Sequence, residues 1–217
     1  MGPRYLDRDD AGRTLARAVA REVDGPSVVL GLARGGVPVA VPVARALNAP
    51  LEALVVRKLG APGHEELAVG AIAPGGVRVL NHELVRDLGV NDARLADVEA
   101  RERAELERRE RLYRGGRPSV LDGTLGDRTA VLVDDGMATG ATMRVAIAAV
   151  RRATPSRIVV AIPVAAPDVA AAVAGAVDAF VCPHLPRRLV AVGAHYVEFG
   201  QTSDDEVIAA LAGTPAT

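Results

Sequence analysis

Two adjacent carboxylates, Asp134 and Asp135, stand between an apolar run at 131–133 and a loop of mostly small residues, Gly136-Met137-Ala138-Thr139-Gly140-Ala141-Thr142. The residue types limit what this arrangement can do. Gly136, Ala138, Gly140 and Ala141 carry little or no side chain, so a ligand can approach the backbone closely. Residues 141–150, rich in Ala, Met, Val and Ile, are expected to form a helix packed on a sheet. The first N–H groups of such a helix have no intrahelical partner and carry about half a positive charge, which suits a phosphate dianion. Thr139 and Thr142 add hydroxyl donors. The two aspartates are too close to that anion to be its ligands, and they suit sugar hydroxyls or a hydrated divalent cation. Phosphate on one side and hydroxyls on the other describe a cradle for a ribose 5-phosphate.

Two further stretches carry cations. Gly31-Leu32-Ala33-Arg34-Gly35-Gly36-Val37-Pro38 again takes a strand into a glycine loop and a helix. One arginine among small residues there suggests a second anion pocket, built from backbone N–H groups and one guanidinium. A βα turn with a solvated arginine has the same local pattern. Arg57-Lys58 ends the run 51–56, and Lys58 is a mobile cation able to neutralise a leaving anion, or else part of a basic surface at a strand end.

The elements that must position these residues read as alternating strands and helices. A helix over 11–23 is expected, capped by Asp9 or Asp10, with Leu15, Val19 and Val23 as its apolar stripe. Strands follow at 27–32 and 51–56, with a helix over 37–47 in which Pro42 implies a kink or a short first segment. Beyond the acidic pair come a strand at 157–164, an Ala-rich helix at 167–177 and a short strand at 178–182. The alternation predicts an α/β fold with a parallel central sheet and helices on both faces, and ligands in such sheets bind beyond the carboxyl ends of the strands. The stretch 60–118 departs from the alternation. It reads as a loop at 61–66, a hairpin of 67–72 with 77–80, and a charge-dense, solvated helix at 92–113 with Glu99–Arg103 and Glu107–Arg111 pairs. A small helix at 204–211, capped by Ser203 or Asp204, closes the chain.

Composition narrows the class. The 217 residues, 49% hydrophobic and 24% charged, fit one globular domain over 1–217. Five aromatics and a net charge of −1 argue against nucleic acid as a partner. The lone Cys182 fits a reducing cytoplasm, and its neighbour His184 does not by itself make a catalytic pair. No run is long enough for a membrane span and no secretory leader is evident, so a cytoplasmic location is expected. Nucleotide-binding glycine motifs and zinc spacings are absent from the sequence.

The stretch 131–143 closely resembles the phosphoribosyl pyrophosphate (PRPP) signature of type I phosphoribosyltransferases: apolar residues, two acids, then Thr-Gly-x-Thr. Ala33-Arg34-Gly35-Gly36 resembles that family's pyrophosphate loop, where a strained or cis peptide is often found, which would fall near Ala33-Arg34. Arg57-Lys58-Leu59-Gly60 is similar to a stretch of adenine-type enzymes. The resemblance implies transfer of the phosphoribosyl group to a nitrogenous base, purine-like by preference, with release of pyrophosphate and with Mg²⁺ as cofactor. It implies that Gly136 to Thr142 hold the 5′-phosphate, and that Asp134 and Asp135 hold ribose hydroxyls and the hydrated metal. Ala33, Arg34, Gly35, Gly36 and Lys58 would meet the pyrophosphate. It also implies a flexible lid with a helical insertion at 60–118 and a hood at 183–217, in which Tyr196 and Phe199 are candidates to stack on the base and equally candidates for the core. A homodimer is compatible with it. One departure stands out: Ala138 occupies the place where hypoxanthine-type enzymes carry an acid that handles the purine proton, so Glu65 or Glu66 is the candidate for that task. A non-catalytic PRPP or nucleotide sensor, and an enzyme that uses PRPP with a non-base acceptor or with water, stay open.

Overall fold

The computed structural model describes residues 5–123 and 125–214; the side chains of Glu65 and Glu66 lie outside what it describes. A five-stranded parallel sheet forms the centre, made of β1 (Ser27–Ala33), β2 (Leu51–Val55), β6 (Thr129–Val133), β7 (Arg157–Ala161) and β8 (Ala179–Val181), in the order β2-β1-β6-β7-β8. β1 and β6 are apolar runs stopped by Arg34 and Asp134, and β6 is buried along its whole length. Alternate residues serve opposite faces. Val29, Val131, Val133 and Val159 pack into one core with α1 (Arg8–Val19), α2 (Gly36–Leu47) and α7 (Asp204–Ala212). Val28, Leu30, Leu132 and Val160 pack into a second core with α5 (Ala141–Arg152) and α6 (Pro167–Ala174). From β1 the chain moves outward to β2 on one side, and from β6 to β7 and β8 on the other. The strand order therefore reverses between β1 and β6, the place where open α/β sheets bind ligands.

Several expected elements shift. α1 starts at Arg8 and ends at Val19, capped by Asp7, whose carboxylate accepts the Asp10 N–H at 2.8 Å. Asp9 and Asp10 lie inside the first turn instead. Pro42 sits within an unbroken α2, and its ring packs where a side chain at Gly12 of α1 would stand, so the two helices approach closely at that glycine. β2 ends at Val55, and β7 stops at Ala161.

The stretch expected to be a loop and a hairpin is a three-stranded antiparallel sheet, β3 (Arg57–Ala61), β4 (His64–Ala73) and β5 (Val77–Leu80). The predicted 61–66 loop reduces to a turn at Pro62-Gly63, with Gly63 at φ +82°. Leu59 and Ala61 are buried, and this alternation is what makes 57–61 a strand. A short helix not expected from sequence, α3 (His82–Asp87), follows under an Asn81 cap.

α4 (Asp92–Arg114) is more than a solvated helix. Leu95, Val98, Leu106 and Tyr113 are buried against β2, β3 and α7. The Glu99–Arg103 pair forms at 2.6 Å and Glu107–Arg111 at 3.9 Å. Acids of the helix also reach other elements: Glu102 to Arg57 of β3 at 2.6 Å, and Glu99 to Arg78 of β5 at 2.9 Å as well as to Arg103. Near the end of the chain, Tyr5 forms a bridge with Tyr196, and the Leu6 carbonyl accepts the Glu198 N–H at 2.8 Å. These bonds fix where α1 begins.

Candidate functional site

The site lies where β1 and β6 end side by side, with Gly31 in register with Val133. The loops that follow are pressed together. A Cβ on Gly36 would stand 2.6 Å from the Val133 carbonyl and 2.9 Å from Asp134 Cα, and one on Gly35 would overlap the Asp135 carboxylate. Both glycines are therefore required by contact between the loops, a role that their composition alone does not reveal. The Ala33-Arg34 peptide is cis, where the resemblance placed it.

The acidic pair splits into two roles. Asp134 Oδ1 accepts the N–H of Asp135 at 2.9 Å, and its side chain lines a cavity. Asp135 turns to Arg8 in the first turn of α1, with Oδ2 accepting from Nε at 2.9 Å and from Nη2 at 2.8 Å. Arg8 also donates to the Gly200 carbonyl at 2.8 Å and lies 4.0 Å over the Phe199 ring. Burial, and then the charge of Asp135, hold the Asp134 carboxyl well above the usual carboxylate range. Burial raises Asp135 as well, while Arg8 pulls it back. Nothing in the sequence near residue 8 marks Arg8 as the partner of an acid 127 positions away.

The loop over 136–142 is part scaffold. Met137 is 3% exposed, its N–H donates to the Val164 carbonyl at 2.9 Å, and its own carbonyl accepts from Ala166. Its amide is thus unavailable to a phosphate, which corrects the expectation for that residue. Gly136 packs where a Cβ would overlap Val192. Ala138 and Thr139 are exposed. Gly140 caps α5 in the left-handed region at φ +70°, no side chain caps the helix, and its first turn holds no acid. The N-terminus at Ala141 and Thr142 keeps the features of an anion site.

A cavity of about 610 Å³ gathers Ala33, Arg34, Lys58, Asp134 and Thr142 from four separate segments. Leu32, Val56, Arg57, Val98, Arg101, Glu102 and the 60–63 turn complete its lining; nothing local in the sequence marks Arg101 or Glu102 for that place. A second cavity of about 530 Å³ shares Lys58 and takes in Thr139, Ala141 and Arg144. Glu65 and Glu66 follow His64 at the start of β4, and the candidate role of their carboxylates lies outside what is described of their side chains.

The hood residues are not brought to the cavity. Tyr196 is 2% exposed, its ring lies between Tyr5 and Phe199 at centroid distances of 5.5 and 4.8 Å, and its hydroxyl donates to the Asp135 carbonyl at 2.5 Å. Of the two roles open to it, Tyr196 takes the core one, and it props the acidic pair. Phe199 is 37% exposed and holds Arg8 on its face. The Cys182 thiol donates to the His184 carbonyl and not to its ring, and burial pushes the thiol up to about 11, so it stays protonated and inert.

Among the described residues no group of three or more His, Cys, Asp or Glu could hold a metal ion. A cation here would need oxygens from a ligand and water, with Asp134 as the carboxylate facing the cavity. That donor set fits a hydrated Mg²⁺, which keeps several waters and is commonly held by one or two carboxylates and phosphates.

Comparison with known proteins agrees with this geometry. Residues 5–181 match the phosphoribosyl transferase domain. The chain is 48% identical over 207 residues to Mycobacterium tuberculosis Rv0571c, which carries the provisional name phosphoribosyl transferase. That match covers 95% of this chain and 46% of the other, so the chain spans about half the length of the curated relatives it matches. The crystal structure of TT1426 from Thermus thermophilus is 42% identical, with a TM-score of 0.79, over 96% of this chain and 97% of that one. The AQ2163 protein from Aquifex aeolicus, 13% identical at a TM-score of 0.50 over 86% of this chain and 78% of its own, shares the fold. With the switch-point cavity, the cis Ala33-Arg34 loop and the Asp134-to-Thr142 loop all inside the matched span, the chain belongs to the phosphoribosyl transferase domain family.

Proposed function

We propose that the protein binds PRPP and transfers its 5-phosphoribosyl group to a nitrogenous base, purine-like by preference, releasing pyrophosphate with the help of Mg²⁺. The observation that carries this reading is the cavity that joins Arg34, Lys58, Asp134 and Thr142. In this reading the start of α5, with Thr139 and Thr142, holds the 5′-phosphate. Asp134 holds ribose hydroxyls and the water shell of the cation, while Asp135, tied to Arg8, fixes the strand end beneath it. The acceptor nitrogen forms a bond to C1 as the C1–oxygen bond breaks, and the electron pair leaves with pyrophosphate. Arg34 and Lys58 stabilise the charge that collects there, and bound Mg²⁺ would neutralise part of it. Binding at the 5′-phosphate supplies orientation at the reacting centre. Ala138 cannot take the acceptor's proton, so that task is assigned to Glu65 or Glu66.

One observation favours a second acceptor class: no aromatic ring lines the cavity, so a stacked purine finds no platform there among the described residues. An enzyme that transfers to a non-base acceptor fits that lining. The test is PRPP calorimetry with and without Mg²⁺ on wild type and Asp134→Asn, followed by pyrophosphate release with purines and with amines. Expected are Mg²⁺-dependent binding, a loss of affinity of roughly 10- to 100-fold in the variant, and acceptor-dependent release. Absence of binding at millimolar PRPP would overturn the reading; binding without turnover would make the protein a sensor.

A further inference from the structure

α4 contributes a wall to the main cavity through Val98, Arg101 and Glu102, residues that share one helix face at i, i+3 and i+4. Two of the three are committed. Val98 is buried, and Glu102 accepts from Arg57 at 2.6 and 2.7 Å. Arg101 has no carboxylate partner among the described residues, although the same helix pairs most of its other arginines.

The helix that carries Arg101 is bolted down. Leu95, Val98, Leu106 and Tyr113 are buried, Glu99 reaches Arg78, and the Tyr113 hydroxyl donates to Asp204 at 2.6 Å. Of the cations that line the cavity, Arg57 is neutralised by Glu102, and Arg34 stands 3.9 Å from Asp204. Among the described residues, Lys58 and Arg101, with Arg34 only loosely paired to Asp204, then face Asp134 as the one remaining cavity carboxylate. Such a surplus suits a multiply charged anion better than a single phosphate, and a guanidinium can grip two phosphate oxygens at once.

We propose that Arg101 is a binding residue for the diphosphate part of the ligand, supplied by α4 from the same chain; this rests on the PRPP reading above. The experiment measures dissociation constants for PRPP, inorganic pyrophosphate and ribose 5-phosphate on wild type, Arg101→Ala, Arg101→Lys and Arg94→Ala. Arg94 is an exposed α4 residue outside the cavity and controls for lost net charge. Alanine at an exposed helical site favours the helix, so the fold is retained. Arg101→Ala should weaken PRPP and pyrophosphate roughly tenfold, the scale of one charge-assisted hydrogen bond. It should leave ribose 5-phosphate within about twofold, with Arg101→Lys between, and Arg94→Ala should match wild type. Unchanged PRPP affinity in Arg101→Ala would overturn the proposal and leave the PRPP reading standing. An equal loss for all three ligands would overturn it too, as a general effect on the cavity. If wild type binds neither PRPP nor pyrophosphate, both readings fall together.

Discussion

The acids at the end of β6 and two acids on and beside α4, Glu105 and Asp204, meet arginine with opposite results. Asp134 and Asp135 are raised by burial, and Arg8 offsets only part of that cost. Glu105 is held down to about 2 by Arg108 and Arg109, and Asp204 is lowered by the Tyr113 hydroxyl and Arg108. The first set is kept at the switch point against its own solvation preference; the second stabilises the fold in ordinary fashion. Burial also raises Glu110 of α4, away from the cavity, so the raised acids of β6 point to ligand binding only together with their place at the switch point.

The contrast can be broken most severely at Gly36, which lets the β1 loop cover Asp134. Gly36→Ala places a Cβ against the Val133 carbonyl, which is backbone and cannot swing aside. A loss of about 3 kcal/mol is expected in denaturant melts, and PRPP binding should go with it; a variant as stable as wild type would show that the loops are looser than described. Asp134→Asn sharpens the contrast from the other side. It removes a carboxylate whose burial is unfavourable, so its Tm should equal or exceed that of wild type even as affinity falls. Destabilisation on that substitution would put Asp134 among the structural acids instead.

Arg8→Ala leaves Asp135 without its cation in a pair whose side chains are only 14% and 16% exposed. Stability should drop by about 2 kcal/mol, while Asp9→Ala, at an exposed pair with Arg13, should change it by less than about 0.5 kcal/mol. Equal effects at the two sites, read from urea midpoints, would erase the distinction. The smallest effect belongs to pH. Glu105 has a folded value below its ordinary one, so its contribution is complete above the ordinary range near 4.5 and is lost as pH falls toward about 2. Glu105→Gln should therefore be less stable than wild type at pH 6, by on the order of 0.5 kcal/mol, and the gap should narrow as pH falls through about 2. A constant gap across that range would mean that the pairing with Arg108 and Arg109 is not what stabilises.

Much of the architecture was open to reading because it is local. β1 and β6 announce themselves as apolar runs that end at turn or acidic residues, and each is followed by a helix with a small-residue start. The loops at 33–36 and 134–142 were legible for the same reason, since close backbone approach demands small side chains in a fixed order. The 57–61 strand has no local signature, because its first two residues are Arg and Lys and only pairing with β4 reveals its alternation. The sparse apolar positions of α4 read as a solvated helix, yet Leu95, Val98, Leu106 and Tyr113 are enough to bury one face once β2, β3 and α7 surround them.

The amino-acid sequence by itself determined the strand–loop–helix units, the acidic pair and the cations beside it, because each depends on residues within one turn or one strand of another. Only the tertiary structure decided which acid opens to the cavity, that Arg8 holds the other, that Tyr196 is enclosed, and that α4 brings Arg101 to the wall. Those outcomes depend on which groups meet across 127 residues between Arg8 and Asp135 or 45 between Arg57 and Glu102. A charge carries no mark of its distant partner, so the pairing is settled only when the elements pack.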